Sequence, residues 1–347
     1  MNTVQSLPVL PKTAKIYVSG HCGMVGSAIV RRLRASGYDN LLMRKHVELN
    51  LLNQHDVFDF LERERPDYIF CAAARVGGIQ ANNDYRAEFL FQNLMVETNL
   101  IHGAWLAGID HLLFLGSSCV YPRDCPQPIR EEYLLSSALE HTNEPYAVAK
   151  IAGIKMCETY NDQYGTHYTS VMPTNLYGPN DHYDLANSHV LPALMRKTHE
   201  AMLNGDRTLT VWGSGNPMRE FLHVDDMADA CVFLMEHGVD HGIYNIGTGV
   251  DVSIRELAEI MMRTVGFQGE IVFDASKPDG TPRKWLDVSR MKALGWHARI
   301  SLEAGIAATY HDYVAYHSKA EPLSHGHAGN ASSRVGDSAS IGTRVEH

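Results

Sequence analysis

The sequence lacks the marks of a membrane or secreted protein. Its 347 residues contain no uninterrupted run of about 18 apolar residues, which a membrane-spanning helix requires. Residues 1–12 contain no basic stretch followed by a long apolar run, so a secretory signal is not indicated. The six cysteines form no C-x-x-C pair, and in a chain of this size they indicate reduced thiols in a cytoplasmic protein.

Metal-binding and nucleic-acid-binding patterns are also missing. None of the 19 histidines lies in an H-E-x-x-H motif or in paired Cys/His spacing, so the sequence indicates no metal site. Against 30 lysines and arginines there are 40 aspartates and glutamates, a formal net charge of −10. This balance argues against a nucleic-acid partner, because such proteins need a basic footprint on the phosphate backbone.

The first half of the chain alternates strand-like runs with helical segments. The strand-like runs are short, apolar and rich in β-branched and aromatic residues, whereas the segments between them have a helical apolar period. The strand-like runs lie at 15–19, 40–43, 68–72, 112–115 and 170–172, and the helical segments at 27–35, 54–63, 86–107 and 146–164. This alternation predicts an α/β fold with a doubly wound, parallel, Rossmann-like sheet.

The second half alternates less regularly and predicts a smaller C-terminal α/β lobe that binds substrate over the carboxyl ends of the sheet. Its helical stretches are 188–202, 252–265 and 301–316, and a strand-like run lies at 208–212. The expected division is a flexible lead-in (1–13), an NADP-binding domain (14–180, with 213–248 returning to it), a substrate-binding lobe (181–212 and 249–317) and a disordered tail (318–347).

A glycine-rich turn follows the first predicted strand. Gly20-x-x-Gly23-x-x-Gly26 lies between that strand and a helix, the context of a pyrophosphate-binding loop, where the helix N-terminus faces the phosphates. An ordinary strand-to-helix turn is the alternative. The second strand is followed by Arg44, Lys45 and His46; basic groups there favour NADP over NAD, unless they form only a solvated turn.

A tyrosine and a lysine lie one helical turn apart at the start of a predicted helix. Tyr146 and Lys150 are at i and i+4, on one face. A phenol with a pKa near ~10 is a poor acid–base catalyst at neutral pH, and a neighbouring ammonium is expected to lower that pKa. Upstream, Ser117 follows the 112–115 strand and places a hydroxyl at the carboxyl edge of the sheet.

Together these motifs resemble the extended short-chain dehydrogenase/reductase family, which uses this glycine spacing. Longer blocks narrow the resemblance to the GDP-L-fucose synthase group of that family, and it runs from about residue 15 to residue 316. Those blocks lie at 73–79, 82–83, 116–122, 143–147, 172–179, 187–189, 212–215 and 277–284.

The resemblance implies a bifunctional epimerase/reductase that converts GDP-4-keto-6-deoxy-D-mannose into GDP-L-fucose with NADP(H) as cofactor. By family match, Tyr146 is the proton donor in the reduction, Lys150 holds the nicotinamide ribose, and Ser117 binds the sugar oxygen. Cys119 and His189 match the residues that act as base and acid in epimerisation. The resemblance also implies a homodimer formed through the helices at 86–107 and 146–164.

The resemblance and the motifs assign two sets of binding residues. The expected cofactor-binding residues are Gly20, His21, Cys22, Gly23, Met24, Val25, Gly26, Arg44, Leu115, Gly116, Ser117, Ser118, Lys150, Pro173, Thr174, Asn175, Leu176 and His189. The expected residues for the substrate guanine and diphosphate are Lys197, Trp212, Arg219, Asp279 and Lys284. Two positions depart from the family pattern, because Cys22 and His46 stand where many bacterial members carry arginine.

Two alternatives stay open at this point. The same groups would serve a GDP-L-colitose synthase, which acts on a 3,6-dideoxy keto sugar, or another nucleotide-sugar epimerase/reductase of the family. A non-catalytic dinucleotide sensor with the same fold is the second alternative. A sensor is expected to have lost Tyr146, Lys150 or Ser117, and all three are present.

Overall fold

The computed structural model describes residues 10–185, 188–239, 241–277 and 279–316. The strands are β1 (Ile16–Ser19), β2 (Leu41–Leu42), β3 (Tyr68–Cys71), β4 (His111–Leu115), β5 (His167–Pro173), β6 (Asn175–Tyr177), β7 (Thr208–Trp212), β8 (Met218–His223), β9 (Gly242–Ile246), β10 (Asp251–Ser253), β11 (Glu270–Asp274) and β12 (Arg283–Lys284). The helices are α1 (Met24–Ala35), α2 (Gln54–Glu64), α3 (Ile79–Asp84), α4 (Arg86–Leu106), α5 (Glu144–Tyr164), α6 (Val190–Asn204), α7 (Val224–Glu236), α8 (Ile254–Val265), α9 (Ser289–Ala293) and α10 (Leu302–Tyr316). None of these helices is long and apolar enough to cross a membrane.

The main sheet has six parallel strands in the order β2-β1-β3-β4-β5-β9. Its strands β1 and β3 are buried along their whole length, as in a sheet with helices on both faces. On one face α1 and α7 pack together, and on the other α2, α4 and α5 pack together. The predicted doubly wound α/β fold is confirmed.

A smaller lobe is built around β8. This strand pairs with β6 and β12 in parallel and with β10 antiparallel, while β7 and β11 form a separate parallel pair. Apolar side chains of α6, α8 and α10, such as Met195, Met261 and Ile306, form its core. The β8 strand leads directly into α7 of the larger layer, so the two parts are joined at the carboxyl edge of the main sheet.

Two local expectations differ from the structure. The helix predicted at 252–265 begins only at Ile254, because residues 251–253 form β10 and Ser253 starts the helix through a capping box with Glu256. The described part of the predicted flexible lead-in is packed: Leu10 is buried, and the Lys12 ammonium lies over the Tyr38 ring. Residues 1–9 and the predicted tail at 318–347 lie outside the described residues.

Candidate active site

The glycine loop between β1 and α1 has a shape that only glycine permits at two positions. Gly20 has φ +71°, and a Cβ there would lie 2.8 Å from the Ala73 backbone. A Cβ on Gly26 would lie 2.2 Å from the Gly20 carbonyl oxygen. Gly23 donates its N–H to that same oxygen (2.9 Å), and the first turn of α1 has no acidic residue. This cradle and the open helix N-terminus fit a dinucleotide pyrophosphate.

The other expected cofactor-binding residues lie along the same edge of the sheet. The segment 115–118 ends β4, and the segment 173–176 ends β5 and enters β6. Thr174 donates its N–H to the Ile246 carbonyl (3.0 Å), and Asn175 Nδ2 donates to the Glu220 carbonyl (2.8 Å). Because the carboxyl ends of parallel strands meet at one edge, these segments lie at the same edge of the main sheet as the 20–26 loop, which includes His21, Cys22, Met24 and Val25.

Arg44 follows β2, beyond the end of the glycine loop. Its Nη2 atom is 3.2 Å from Glu64 Oε1, and Nη1 donates to the Met43 carbonyl over 2.8 Å. The guanidinium is thus held beside α2 by a carboxylate. A 2′-phosphate at this position would therefore compete with Glu64 for the guanidinium.

Ser117, Cys119 and Tyr146 lie together at the end of β4. Ser117 begins a single 3-10 turn (Ser118–Val120), and its Oγ accepts the Cys119 N–H at 3.2 Å. The Tyr146 hydroxyl on α5 lies near the Ser117 side chain. Burial raises the pKa of Tyr146 strongly, and Cys119 and Glu97 raise it further, whereas the Ser117 side chain lowers it. The phenol therefore keeps its proton at neutral pH.

The Lys150 ammonium does not act on Tyr146 as the sequence predicted. Its Nζ donates to the Leu115 carbonyl over 2.9 Å and lies 3.7 Å from Glu97 Oε2. The expected lowering of the Tyr146 pKa by Lys150 is therefore wrong for this state, because the ammonium is turned toward the β4 end and a buried carboxylate. It still lies at the edge where the expected cofactor segments meet.

Lys284 contacts Cys119, and its charge also influences His189. Lys284 Nζ donates to Cys119 Sγ over 3.5 Å. The pKa of His189 is lowered, first by desolvation and then by the Lys284 charge, although the residue keeps solvent access in the cleft. His189 is the residue before α6, yet within the described residues its side chain makes no capping hydrogen bond. The imidazole is therefore not occupied by a capping role.

The expected guanine and diphosphate residues form a second group beside this one. Trp212 is 56% exposed, and its ring lies 4.6 Å from Lys197 Nζ and 5.2 Å from Lys277 Nζ. Arg219 is the register partner of Lys284 in the β8–β12 pair, which places the two cations side by side. This group offers a flat aromatic surface and several cations.

Asp279 has a structural contact that the sequence did not suggest. Its carboxylate accepts the Ser214 N–H at 2.6 Å and the Ser214 hydroxyl at 2.8 Å, and these bonds lower its pKa. Asp279 also lies near Arg219, whose pKa is lowered by burial and raised by this charge. The carboxylate thus holds the turn that follows Trp212.

Comparison with known proteins identifies the family. The family of NAD dependent epimerases/dehydratases matches residues 16–247. GDP-L-fucose synthase 1 of Arabidopsis thaliana is 55% identical over 87% of this chain and 94% of its own length. A GDP-L-colitose synthase of Yersinia pseudotuberculosis is 36% identical over 85% and 96%. The chain belongs to the NAD dependent epimerase/dehydratase family.

A relative of known structure has the same fold as this member of the epimerase/dehydratase family. A GDP-L-fucose synthetase of Naegleria fowleri bound to NADP superposes with a TM-score of 0.83 at 26% identity, covering 90% of this chain and 96% of that one. The greater identity to the fucose synthase than to the colitose synthase puts the chain on the fucose-synthase branch of the family.

Two residues of this family member's site were missed by the sequence reasoning. Glu97 lies beside Lys150, and Lys277 faces Trp212. The available signal for Glu97 was an acidic residue in the middle of the mostly apolar 86–107 helix. Lys277 begins the 277–284 block, but only its later residues were assigned a role.

Proposed function

We propose that this protein converts GDP-4-keto-6-deoxy-D-mannose into GDP-L-fucose, epimerising the sugar and then reducing its C4 ketone with NADPH. The contact between Lys284 and Cys119, beside Tyr146 and Ser117, carries the proposal. In this contact the Cys119 thiol has a neighbouring cation and lies beside Tyr146 and Ser117, the two residues proposed to bind and protonate the carbonyl oxygen of the sugar. Identity to fucose synthases supports the choice of sugar.

The epimerisation needs a base on one face of the hexose and an acid on the other. The Lys284 ammonium lies 3.5 Å from the Cys119 sulfur, and Cys119 is the group proposed to remove a proton from a carbon next to the ketone. Desolvation and Lys284 keep His189 neutral in the free protein. When the substrate binds, its anionic diphosphate opposes the Lys284 charge, so we expect His189 to take up a proton from solvent. His189 then delivers that proton to the ring carbon on the face opposite Cys119, while the proton removed from the ring stays on Cys119.

The reduction uses the groups at the end of β4. NADPH supplies a hydride to C4 when it is bound, and the 20–26 loop fits its pyrophosphate. Tyr146 carries its proton at neutral pH because burial raises the pKa of the phenol, and it protonates the developing alkoxide. Ser117 holds the sugar oxygen, and Lys150 binds the nicotinamide ribose. The NADP-bound Naegleria relative supports the choice of NADPH.

The GDP part of the substrate would bind at the group of residues around Trp212. Trp212 provides a stacking surface for guanine, and Lys197 and Arg219 provide cations for the diphosphate. Asp279 keeps the 212–215 turn in place. Residues 181–212 and 249–317 would then form the substrate-binding lobe, over an NADP-binding domain made of 14–180 and 213–248.

A homodimer and a cytoplasmic location complete the proposal. Apolar side chains are exposed on the paired helices α4 and α5: Phe91 (60%), Leu106 (54%), Val148 (43%) and Tyr164 (45%). An exposed apolar surface of this kind is typical of a protein interface. All six cysteines are free thiols, which is typical of a reducing compartment such as the cytoplasm.

Product identification tests this function directly. The protein is incubated with NADPH and GDP-4-keto-6-deoxy-D-mannose, or with the 3,6-dideoxy keto sugar in a parallel sample, and the products are analysed by NMR. We expect GDP-L-fucose and faster turnover of the first sugar. Faster turnover of the dideoxy sugar would favour the colitose synthase activity. Folded protein that leaves NADPH absorbance unchanged with both sugars would favour a non-catalytic sensor.

A further inference from the structure

Glu97 is a buried carboxylate that the proposed reaction does not use. It lies in the middle of α4, is 2% exposed, and faces Lys150 on α5. Taking a carboxylate out of water is unfavourable unless a charge or hydrogen bonds compensate. Within the described residues, neither oxygen of Glu97 has a hydrogen-bond partner. Its compensation comes first from the charge of Lys150 and then from the Gly153 backbone.

The lysine is equally enclosed. The side chains of Lys150 and Glu97 are each 3% exposed, with Nζ and Oε2 3.7 Å apart. The ammonium also donates to the Leu115 carbonyl (2.9 Å) and lies 4.6 Å from the centre of the Phe114 ring. The carboxylate thus lies on one side of the ammonium, and the carboxyl end of β4 on another.

The charges of the two groups depend on each other. Burial lowers the pKa of Lys150, and Glu97 is the largest influence that opposes this. Burial raises the pKa of Glu97 to about 7, and Lys150 opposes that rise. The other acidic groups near Lys150 are Cys71 on β3 and Cys157 on α5, and burial raises the pKa of both thiols well above neutrality. Tyr146, also on α5, keeps its proton as well.

We propose that Glu97 is a positioning residue that keeps Lys150 protonated and directed toward the end of β4, where the reduction proposed above needs it. This inference rests on that proposed function. A purely structural pair would fill the space between α4 and α5 and have no influence on the protonation of Lys150.

The pH profile of the reduction distinguishes these roles. Glu97→Gln keeps the shape and removes the charge, so Lys150 loses its proton at lower pH and kcat falls on the alkaline side. We expect a loss of about tenfold at pH 9 for each pKa unit by which Lys150 changes, and much less loss at pH 6.5. Glu97→Asp, which restores the charge, should restore most of the alkaline activity. An unchanged alkaline limb in Glu97→Gln would overturn the proposal.

A measurement on the protein without ligands separates this inference from the proposed function. In Lys150→Met the Glu97 carboxyl has no counter-charge, so adding Glu97→Gln should raise Tm at pH 8.5 and have little effect at pH 5.5, where the carboxyl is protonated. In the wild-type background, Glu97→Gln should instead lower Tm at pH 8.5. If Glu97→Gln changes Tm equally in both backgrounds, the two charges are not coupled and the proposal is wrong, whatever reaction the enzyme catalyses.

Discussion

The ammonium of Lys284 donates to the sulfur of Cys119 across 165 positions of the chain. The two side chains come from different parts of the fold: Cys119 follows β4 of the main sheet, whereas Lys284 lies on β12 of the smaller lobe. Their contact joins the lobes at the cleft. It therefore brings the proposed base to the boundary between the main sheet and the smaller lobe.

Loss of the Lys284 charge should slow epimerisation. We expect Lys284→Met to reduce solvent-deuterium incorporation into the sugar roughly ten- to hundredfold, the effect of removing a hydrogen bond to a charged group. Lys277→Met is the matched control, because that lysine faces Trp212 and should raise KM without a comparable loss of exchange in bound substrate. Equal loss of exchange at saturating substrate in both variants would contradict a special role for Lys284.

The close packing of the 20–26 loop predicts that one added methyl group at Gly26 lowers the stability of the protein. In Gly26→Ala the new Cβ would lie 2.2 Å from the Gly20 carbonyl oxygen, so we expect a clear loss of Tm and weak NADPH binding. In Gly23→Ala the same oxygen is 3.4 Å away, and the loss of Tm should be smaller. Thermal unfolding of both variants without cofactor measures this difference, and a Gly26→Ala variant as stable as the wild type would contradict the cradle geometry.

Arg44 should decide between NADPH and NADH. We expect Arg44→Ala to raise KM for NADPH about tenfold, the scale of one lost charged contact, and to change KM for NADH little. Arg63→Ala is the control, because Arg63 lies 3.7 Å from the same Glu64 carboxylate but on α2. A parallel rise in KM for both cofactors would show that Arg44 does not contact a 2′-phosphate.

Charge on the α4–α5 surface should separate the proposed dimer. Phe91→Glu together with Val148→Glu places two carboxylates on the exposed apolar helices, and burying them in an interface would be unfavourable. Sedimentation at micromolar concentration should show the wild type as a dimer and this variant as a monomer. Val47→Glu, a similar change at a residue 90% exposed elsewhere, should remain dimeric. A dimeric double variant would rule out this surface.

The burial of Asp181 is expected to make the protein less stable as the pH rises. Burial raises the pKa of its carboxyl from 3.8 to about 7, and its Oδ2 has no hydrogen-bond partner within the described residues. The folded state thus binds its proton more tightly than the unfolded state, so the free energy of unfolding falls as pH rises from 3.8 to about 7. Asp181→Asn should reduce that fall. Asp206→Asn, at an exposed position, should leave it unchanged, and identical pH curves for all three proteins would contradict the shift.

The strands β1 to β5 and the helices α1, α2, α4 and α5 could be predicted because each is specified by its own residues, whereas α7 and the edge strand β9 were not predicted. β3 and β4 are nearly continuous apolar runs, as expected for strands covered on both faces. β10 could not be predicted in this way: its three residues are half-buried, and pairing with β8 rather than local pattern makes them a strand. A short strand of this kind depends on tertiary contacts.

The site was predictable in its residue types but not in its electrostatics. Tyr146 and Lys150 are one helical turn apart, which suggested that the ammonium lowers the pKa of the phenol. The structure shows instead that Lys150 faces Glu97 and Leu115 and that burial raises the Tyr146 pKa. Desolvation depends on everything packed around a group, and sequence spacing does not contain that information.

The proposal that Cys119, His189 and Tyr146 act on one hexose is tested most directly by separating proton exchange from hydride transfer. The wild type, Cys119→Ser, His189→Asn and Tyr146→Phe are incubated with the keto sugar in D2O, and deuterium at the ring carbons and NADPH oxidation are followed together. We predict that the Cys119 and His189 variants lose deuterium incorporation, whereas Tyr146→Phe continues to exchange protons but loses NADPH oxidation. Equal impairment of both processes in all three variants would contradict the assignment of separate base, acid and proton-donor roles.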